Sequence, residues 1–141
     1  MNIVIVGDGK VGATLVEHLS MEGHNVVVID RDQKIVEQMV NSYDVMGICG
    51  NGANCELQLE AGVDTSDLFV AATSSDELNI LSCLMAKKAG AKHTIATYFG
   101  KVTYHCTELF KTCFNFFITV FNGDEGFVAL YIGCNRPCTK V

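Results

Sequence analysis

Ile3 to Val6 are four consecutive β-branched apolar residues, and they run without a break into Gly7-Asp8-Gly9-Lys10-Val11-Gly12. A stretch that is apolar at every position reads as a strand buried on both faces, which places it inside a parallel sheet. After the glycines, Val11, Leu15, Val16 and Leu19 recur at helical spacing. Asn25 to Ile29 then reads as a second strand, and Asp30 closes it 18 residues past Gly12. Strand, G-x-G-x-x-G bend, helix, strand and acid, in that order, form the fingerprint of a dinucleotide-binding βαβ unit.

Each residue type has a physical task in such a unit. Gly7 permits the tight turn, Gly9 lets the backbone approach a pyrophosphate, and Gly12 lets the helix lie close to the strand. The helix start then faces the phosphates with unpaired N–H groups and the positive end of its dipole. Asp30 would accept hydrogen bonds from the ribose hydroxyls, which favours NAD over NADP because a 2′-phosphate would be repelled. Arg31 could offer such a phosphate two donors, but Asp32 follows and weakens the local positive field.

The rest of the chain repeats the alternation. Ile35, Val36, Met39 and Val40 mark a second helix over 33–40, and Asp44 to Cys49 a short third strand ending in Gly50-Asn51-Gly52. A short helix over 55–61, a fourth strand over 68–72, a helix over 76–89 begun by Ser75 or Asp76, and a fifth strand over 94–97 follow. Such an alternation predicts an α/β fold, a Rossmann-like doubly wound parallel sheet of order 3-2-1-4-5. Ligands on these sheets sit beyond the carboxyl ends of the strands, where strand order reverses. That selects the loops at 7–12, 30–32, 50–52 and 73–76. Asn51 could read an adenine edge or simply make an Asn-Gly turn, and Thr73 and Ser74 could reach the ribose or nicotinamide side. The helix over 76–89 is apolar around more than one stripe, so a second subunit or the tail of the chain is expected to cover its other face.

Composition narrows the class. The chain has 141 residues and a net charge of −6, which argues against nucleic acid bound through a basic surface. The longest near-apolar run, Cys113 to Phe121, is too short to span a bilayer as a helix, so no direct membrane insertion is expected. Met1 runs straight into a strand with no secretory pattern, and the seven scattered cysteines read as reduced thiols, which points to the cytoplasm. Cys134-x-x-x-Cys138 lacks further ligands at metal spacing.

Beyond these patterns lies a resemblance. The opening Asn2-Ile-Val-Ile-Val-Gly-Asp-Gly-Lys-Val-Gly12, the Val26-Val-Val-Ile-Asp-Arg-Asp32 segment, the Gly-Asn-Gly loop, Leu59-Glu-Ala-Gly-Val63 and Ala72-Thr-Ser-Ser-Asp-Glu-Leu-Asn79 resemble the N-terminal domain of TrkA, the KTN or RCK family. The resemblance covers about residues 1–97. It implies a cytoplasmic regulatory unit of a Trk or Ktr potassium uptake system that binds NAD(H), or ATP/ADP or AMP. Such a unit forms a homodimer or higher ring and gates a membrane potassium translocating subunit from the inner face. Carried residue by residue, the family's nucleotide contacts fall on Gly7, Asp8, Gly9, Lys10, Val11, Gly12, Asp30, Asn51, Gly52, Thr73 and Ser74, with Arg31 beside them.

From about residue 98 the pattern departs. The family's arginine after Ile95-Ala96 is absent, and residues 98–141 hold seven of the eight phenylalanines and four of the seven cysteines. Tyr98 to Leu109 faintly resembles the family's next helix. Cys113 to Phe121 and Phe127 to Ile132 flank Asn122-Gly-Asp-Glu-Gly126 as a hairpin would. The expected organisation is therefore a nucleotide-binding domain over 1–97 and an atypical tail over 98–141, helix plus hairpin. That tail either extends the sheet, covers the apolar helix, or is a frame-shifted segment with no evolved role. The expected function is a switch without chemistry. The rival is an NAD-dependent oxidoreductase, for which no acid/base set is visible: Tyr98 and Lys101 are one residue too close for a Tyr-x-x-x-Lys pair. A redox sensor acting through Cys49 or Cys55 is weaker, because no lysine or arginine stands near either in sequence.

Overall fold

A computed structural model describes residues 1–7 and 9–98, and the strands at 116–122 and 128–134 by their backbone. The elements in chain order are β1 (Asn2–Val6), α1 (Lys10–Met21), β2 (Asn25–Asp30), α2 (Gln33–Ser42), β3 (Met46–Cys49), α3 (Cys55–Glu60), a 3-10 turn (Val63–Thr65), β4 (Leu68–Ala71), α4 (Asp76–Ala89), β5 (His93–Tyr98), β6 (Phe116–Asn122) and β7 (Val128–Cys134). The first five strands form a parallel sheet of order 3-2-1-4-5, as the alternation of elements predicts.

β1 lies at the centre, flanked by β2 and β4, and this explains why it is apolar on both faces. Ile3 and Ile5 pack under Val16 of α1 and Met39 of α2, while Val4 and Val6 pack with Phe69, Cys83 and Ala86 towards α4. Two cores, one on each side, hold the layers together. The side chains of Ile3, Ile5, Val28, Ile29 and Phe69 are all but fully buried, each worth about 1.5–3 kcal/mol of transfer free energy. β3 is two residues shorter than expected because its pairing to β2 begins only at Met46, opposite Val27.

The expected hairpin is present. β6 and β7 pair antiparallel from Phe116↔Cys134 to Asn122↔Val128, and β7 lies antiparallel to β5, giving the order β3-β2-β1-β4-β5-β7-β6. Of the two places foreseen for an evolved tail, it takes the one that extends the sheet, and β7 also runs beside α4. Tyr98, where the next helix was expected to begin, ends β5 instead, and residues 99–109 and the loop at 123–127 lie outside the described residues. On α4 the fully buried positions are small or polar, namely Asn79, Ser82, Cys83 and Ala86. Ile80 and Leu84 pack against the core from its flanks, and Leu81 stays half exposed.

At the end of the sheet where the strands begin, one carboxylate gathers three segments. Asp67 accepts from Lys92 Nζ at 2.6 Å and from the Asn2 backbone N–H at 2.8 Å. The Lys92 hydrogen bond, followed by the Asn2 N–H, holds the Asp67 carboxyl below its ordinary value of 3.8. Because the folded-state value is depressed, this stabilisation is fully present above the ordinary value and is lost as pH falls through the folded one. Asp67→Asn should therefore lower the melting temperature at neutral pH, and the gap to the parent should shrink as pH falls below the ordinary carboxylate value of 3.8. An equal gap at pH 7 and pH 2 by calorimetry would contradict this.

Candidate functional site

The carboxyl ends of the strands are stitched sideways where β1 turns into α1. Gly7 N–H donates to Ile29 O at 2.9 Å, Ala72 N–H to Val6 O at 2.8 Å, and Gly50 N–H to Asp30 O at 2.7 Å. Gly7 sits at φ +86°, a backbone conformation that L side chains rarely adopt. A Cβ there would also stand 2.7–2.9 Å from Thr73 atoms, so Thr73 occupies the space glycine leaves. Gly12 is buried, and a Cβ on it would be driven into the Gly7 carbonyl oxygen. The sequence suggests that Gly12 serves helix-to-strand packing; in the structure the tight contact is with the bend itself.

Among the four α-helices described, three begin with a side-chain cap. Asp32 accepts from Lys34 N–H, Asn54 from Glu56 N–H and Ser75 from Leu78 N–H. Of the two caps considered for α4, the structure uses Ser75. α1 instead starts at Gly9 with no side-chain cap, has no acid in its first turn, and carries Lys10 there. An uncapped helix start beside a lysine is suited to an anion. The start of α4, with Asp76 and Glu77 in its first turn, is not.

Two cavities open on either side of this bend. One, about 340 Å³, is lined by Gly7, Gly9, Asp30, Arg31, Gly50, Gly52 and Thr73 to Ser75, with Leu78 at its edge. The other, about 750 Å³, is lined by Gly9, Lys10, Val11, Thr14, Leu15 and the segment from Ala72 to Glu77. Gly9 and Thr73 to Ser75 border both. Asp30 and the glycine bend therefore share one cavity, as the fingerprint requires. Asp30 Oδ1 accepts from Asp32 N–H at 2.9 Å, and Arg31 is exposed at the rim. Asn51 lines neither cavity: its Oδ1 accepts from Ala53 N–H at 3.0 Å, the turn geometry of an Asn-Gly pair. Asp8 lies outside the described residues.

The imidazoles stand elsewhere. His93 begins β5 and His24 lies just before β2, both at the far end of the sheet, while His18 is exposed on α1. His105 lies outside the described residues. Among the described residues no three His, Cys, Asp or Glu side chains gather into a metal site, and no helix is long and apolar enough to cross a membrane. Cys49 and Cys55 are exposed, Cys49 Sγ lying 3.4 Å from the Arg31 carbonyl oxygen. Burial drives the Cys83 thiol far above its ordinary range.

The geometry has a recognisable owner. Residues 3–110 match the TrkA-N domain. The chain belongs to the TrkA-N domain family. It is 38% identical over 96 residues to a Trk system potassium uptake protein TrkA homolog from Methanothermobacter thermautotrophicus, covering 68% of this chain and 44% of that one. The chain thus spans less than half the length of that relative. In fold it is similar to the TrkA-N domain of the inner membrane protein ybaL from Escherichia coli, at 22% identity and TM-score 0.59, covering 63% of this chain and 65% of that one. It is also similar to the Kef CTD of Shewanella denitrificans in AMP-bound form, at 21% identity and TM-score 0.53, covering 61% and 51%.

Three polar residues of this TrkA-N domain lie behind the site and were not among the expected contacts: Gln58, Asn79 and Thr97. Gln58 Nε2, fully buried, donates to Gly52 O at 2.7 Å and to Ser82 O at 2.9 Å, tying the loop after β3 to α4. Asn79 holds Thr73 through both ends of its amide. For Asn79 the available signals were its place at the end of the 72–79 segment that carries the resemblance and a polar side chain amid the apolar positions of α4.

Two outcomes follow from this geometry. Gly7→Ala combines a disfavoured φ with overpacking against Thr73 and should cost between about 2 and 4 kcal/mol in urea unfolding; a cost under about 0.5 kcal/mol would contradict the contact. In native protein at pH 8, iodoacetamide should label Cys49 and Cys55 and leave Cys83 intact until denaturant is added, as peptide mapping would show.

Proposed function

We propose that this TrkA-N domain is a nucleotide-responsive regulatory unit, with NAD(H) as its first ligand. The observation that carries the reading is the shared cavity of Asp30, the glycine bend and the uncapped start of α1. In this reading Gly7, Gly9 and Gly12 shape the bend, and α1 with Lys10 and the Asp8-to-Val11 backbone meets the phosphates. Asp30 accepts from the adenosine ribose, Gly52, whose backbone packs against the Val6 side chain, lines the adenosine side, and Thr73 and Ser74 border the second half of the ligand. Arg31 closes the rim. Asn51 contributes through the shape of its turn.

The two adjoining cavities favour a dinucleotide over a mononucleotide. A ligand with a pyrophosphate at its middle can lie across Gly9 with one half in each, whereas ATP/ADP or AMP would leave the larger one unfilled. AMP in the similar Kef CTD supports the adenosine half of this reading.

The function is a switch. The ligand's two redox or phosphorylation states bias one arrangement of a homodimer or ring over another, by no more than their difference in affinity between the arrangements. A tenfold difference supplies about 1.4 kcal/mol. The half-exposed Leu81 on α4 suits contact with another copy. The name of the similar Methanothermobacter protein supports a potassium uptake system; in this reading the partner is a membrane translocating subunit, met at the cytoplasmic face. An oxidoreductase reading has less support, since among the described residues neither cavity is lined by a His, Tyr or Cys that could hand over a proton at the nicotinamide.

NADH should bind in calorimetry, and Asp30→Ala should weaken it about tenfold or more, the loss of a charge-assisted hydrogen bond. NADPH should bind more weakly than NADH, and no aldehyde or ketone should consume NADH. Absence of NADH binding, or measurable hydride transfer, would overturn the proposal.

A further inference from the structure

We infer that Thr73, Asn79 and Thr97 form a positioning network that holds the glycine bend in its ligand-ready shape and couples it to the end of β5. The inference rests on the nucleotide reading above and adds how that site is regulated. Asn79 is fully buried on the sheet-facing side of α4, one turn before Cys83. An apolar side chain would serve a purely structural need there, as Cys83 and Ala86 do further along the same face. The amide is instead used at both ends. Its Oδ1 accepts from Thr73 N–H at 2.9 Å and from the Thr73 hydroxyl at 2.6 Å. Its Nδ2 donates to Thr73 O at 3.0 Å, to Thr97 O at 3.0 Å and to Thr97 Oγ1 at 3.1 Å. Thr97 in turn donates to Ala71 O at 3.3 Å.

Thr73 is the residue that fills the space beside Gly7, and it borders both cavities. Thr97 borders neither, and it pairs with Ala129 of β7. An unbroken line of contacts therefore runs from the glycine bend through Thr73 and Asn79 to the strand that carries β7. A displacement at either end leaves buried amide and hydroxyl groups without partners, a cost that makes the line stiff. Occupancy of the bend and the position of the end of β5 are coupled in both directions.

The test uses the full chain with NADH as probe. Thr97→Val removes the hydroxyl and keeps the shape at a residue that touches no cavity. It should weaken NADH three- to tenfold and speed amide hydrogen exchange over Gly7 to Gly12, with little change on α2. Thr97→Ser, which restores the hydroxyl, should bring both readouts back. Asn79→Ala should weaken NADH more than thirtyfold if it folds; Thr97→Val decides the question if it does not. If Thr97→Val binds NADH like the parent and leaves exchange at the bend unchanged, the network is refuted while the nucleotide reading survives. If the parent binds no NADH yet Thr97→Val still speeds exchange at the bend, the nucleotide reading is refuted and the mechanical link stands.

Discussion

The structure turns on a place where the backbone leaves no room for a side chain. The carbonyl oxygen of Gly7 occupies the space a Cβ on Gly12 would need, and Thr73 occupies the space beside Gly7. The two ends of the bend thus close on each other, and the loop at Thr73, far away in sequence, closes on both. Only such a contact brings the uncapped start of α1 within reach of the cavity that Asp30 borders. Side chains at these glycines would push helix and strand apart, and the N–H groups that suit an anion would no longer converge.

The two ends of the parallel sheet are held by different physics. Where the strands begin, Asp67 binds Lys92 and the Asn2 N–H through exposed, charge-assisted hydrogen bonds that water and salt can weaken. Where they end, the loops are held by neutral amides and hydroxyls buried behind them, Gln58 against Gly52 and Asn79 against Thr73. Neutral buried bonds ignore ionic strength and depend on geometry instead. That suits an end whose task is to keep several loops in register around a charged ligand.

What the sequence made legible were features with local causes. The apolar run of β1, the glycine bend, the acid closing β2, a cap at Ser75 or Asp76 and the 76–89 helix are each readable because one segment's own composition decides them. The hairpin at 116–134 was readable for the same reason, from two apolar runs on either side of a polar, glycine-containing turn. The roles of Gln58, Asn79 and Thr97 were not, because each is defined by a partner distant in sequence. In the sequence Asn79 only ends the 72–79 segment that carries the resemblance, and only the fold shows Thr73 and Thr97 at its two ends. The apolar excess of α4 was seen, but which faces it served was a tertiary matter. Small and polar residues took the sheet, larger ones flanked it, and Leu81 was left outward.

This arrangement bears on how a switch could work in a fold so tightly stitched. The loops bordering the two cavities are not independently movable, since Gly7 leans on Thr73, Thr73 on Asn79, and Asn79 on Thr97. Leaving one buried polar group unsatisfied costs on the order of 1–3 kcal/mol, comparable to the whole coupling energy typical of an allosteric protein. Small independent shifts of single loops are therefore disfavoured against a joint shift that keeps every bond. The elements free to shift jointly with the Thr73 loop are α4 and the end of β5, which carry the half-exposed Leu81 and the pairing to β7. On the proposed reading, a displacement starting at the bend would be passed along α4 and the end of β5, where Leu81 is half exposed.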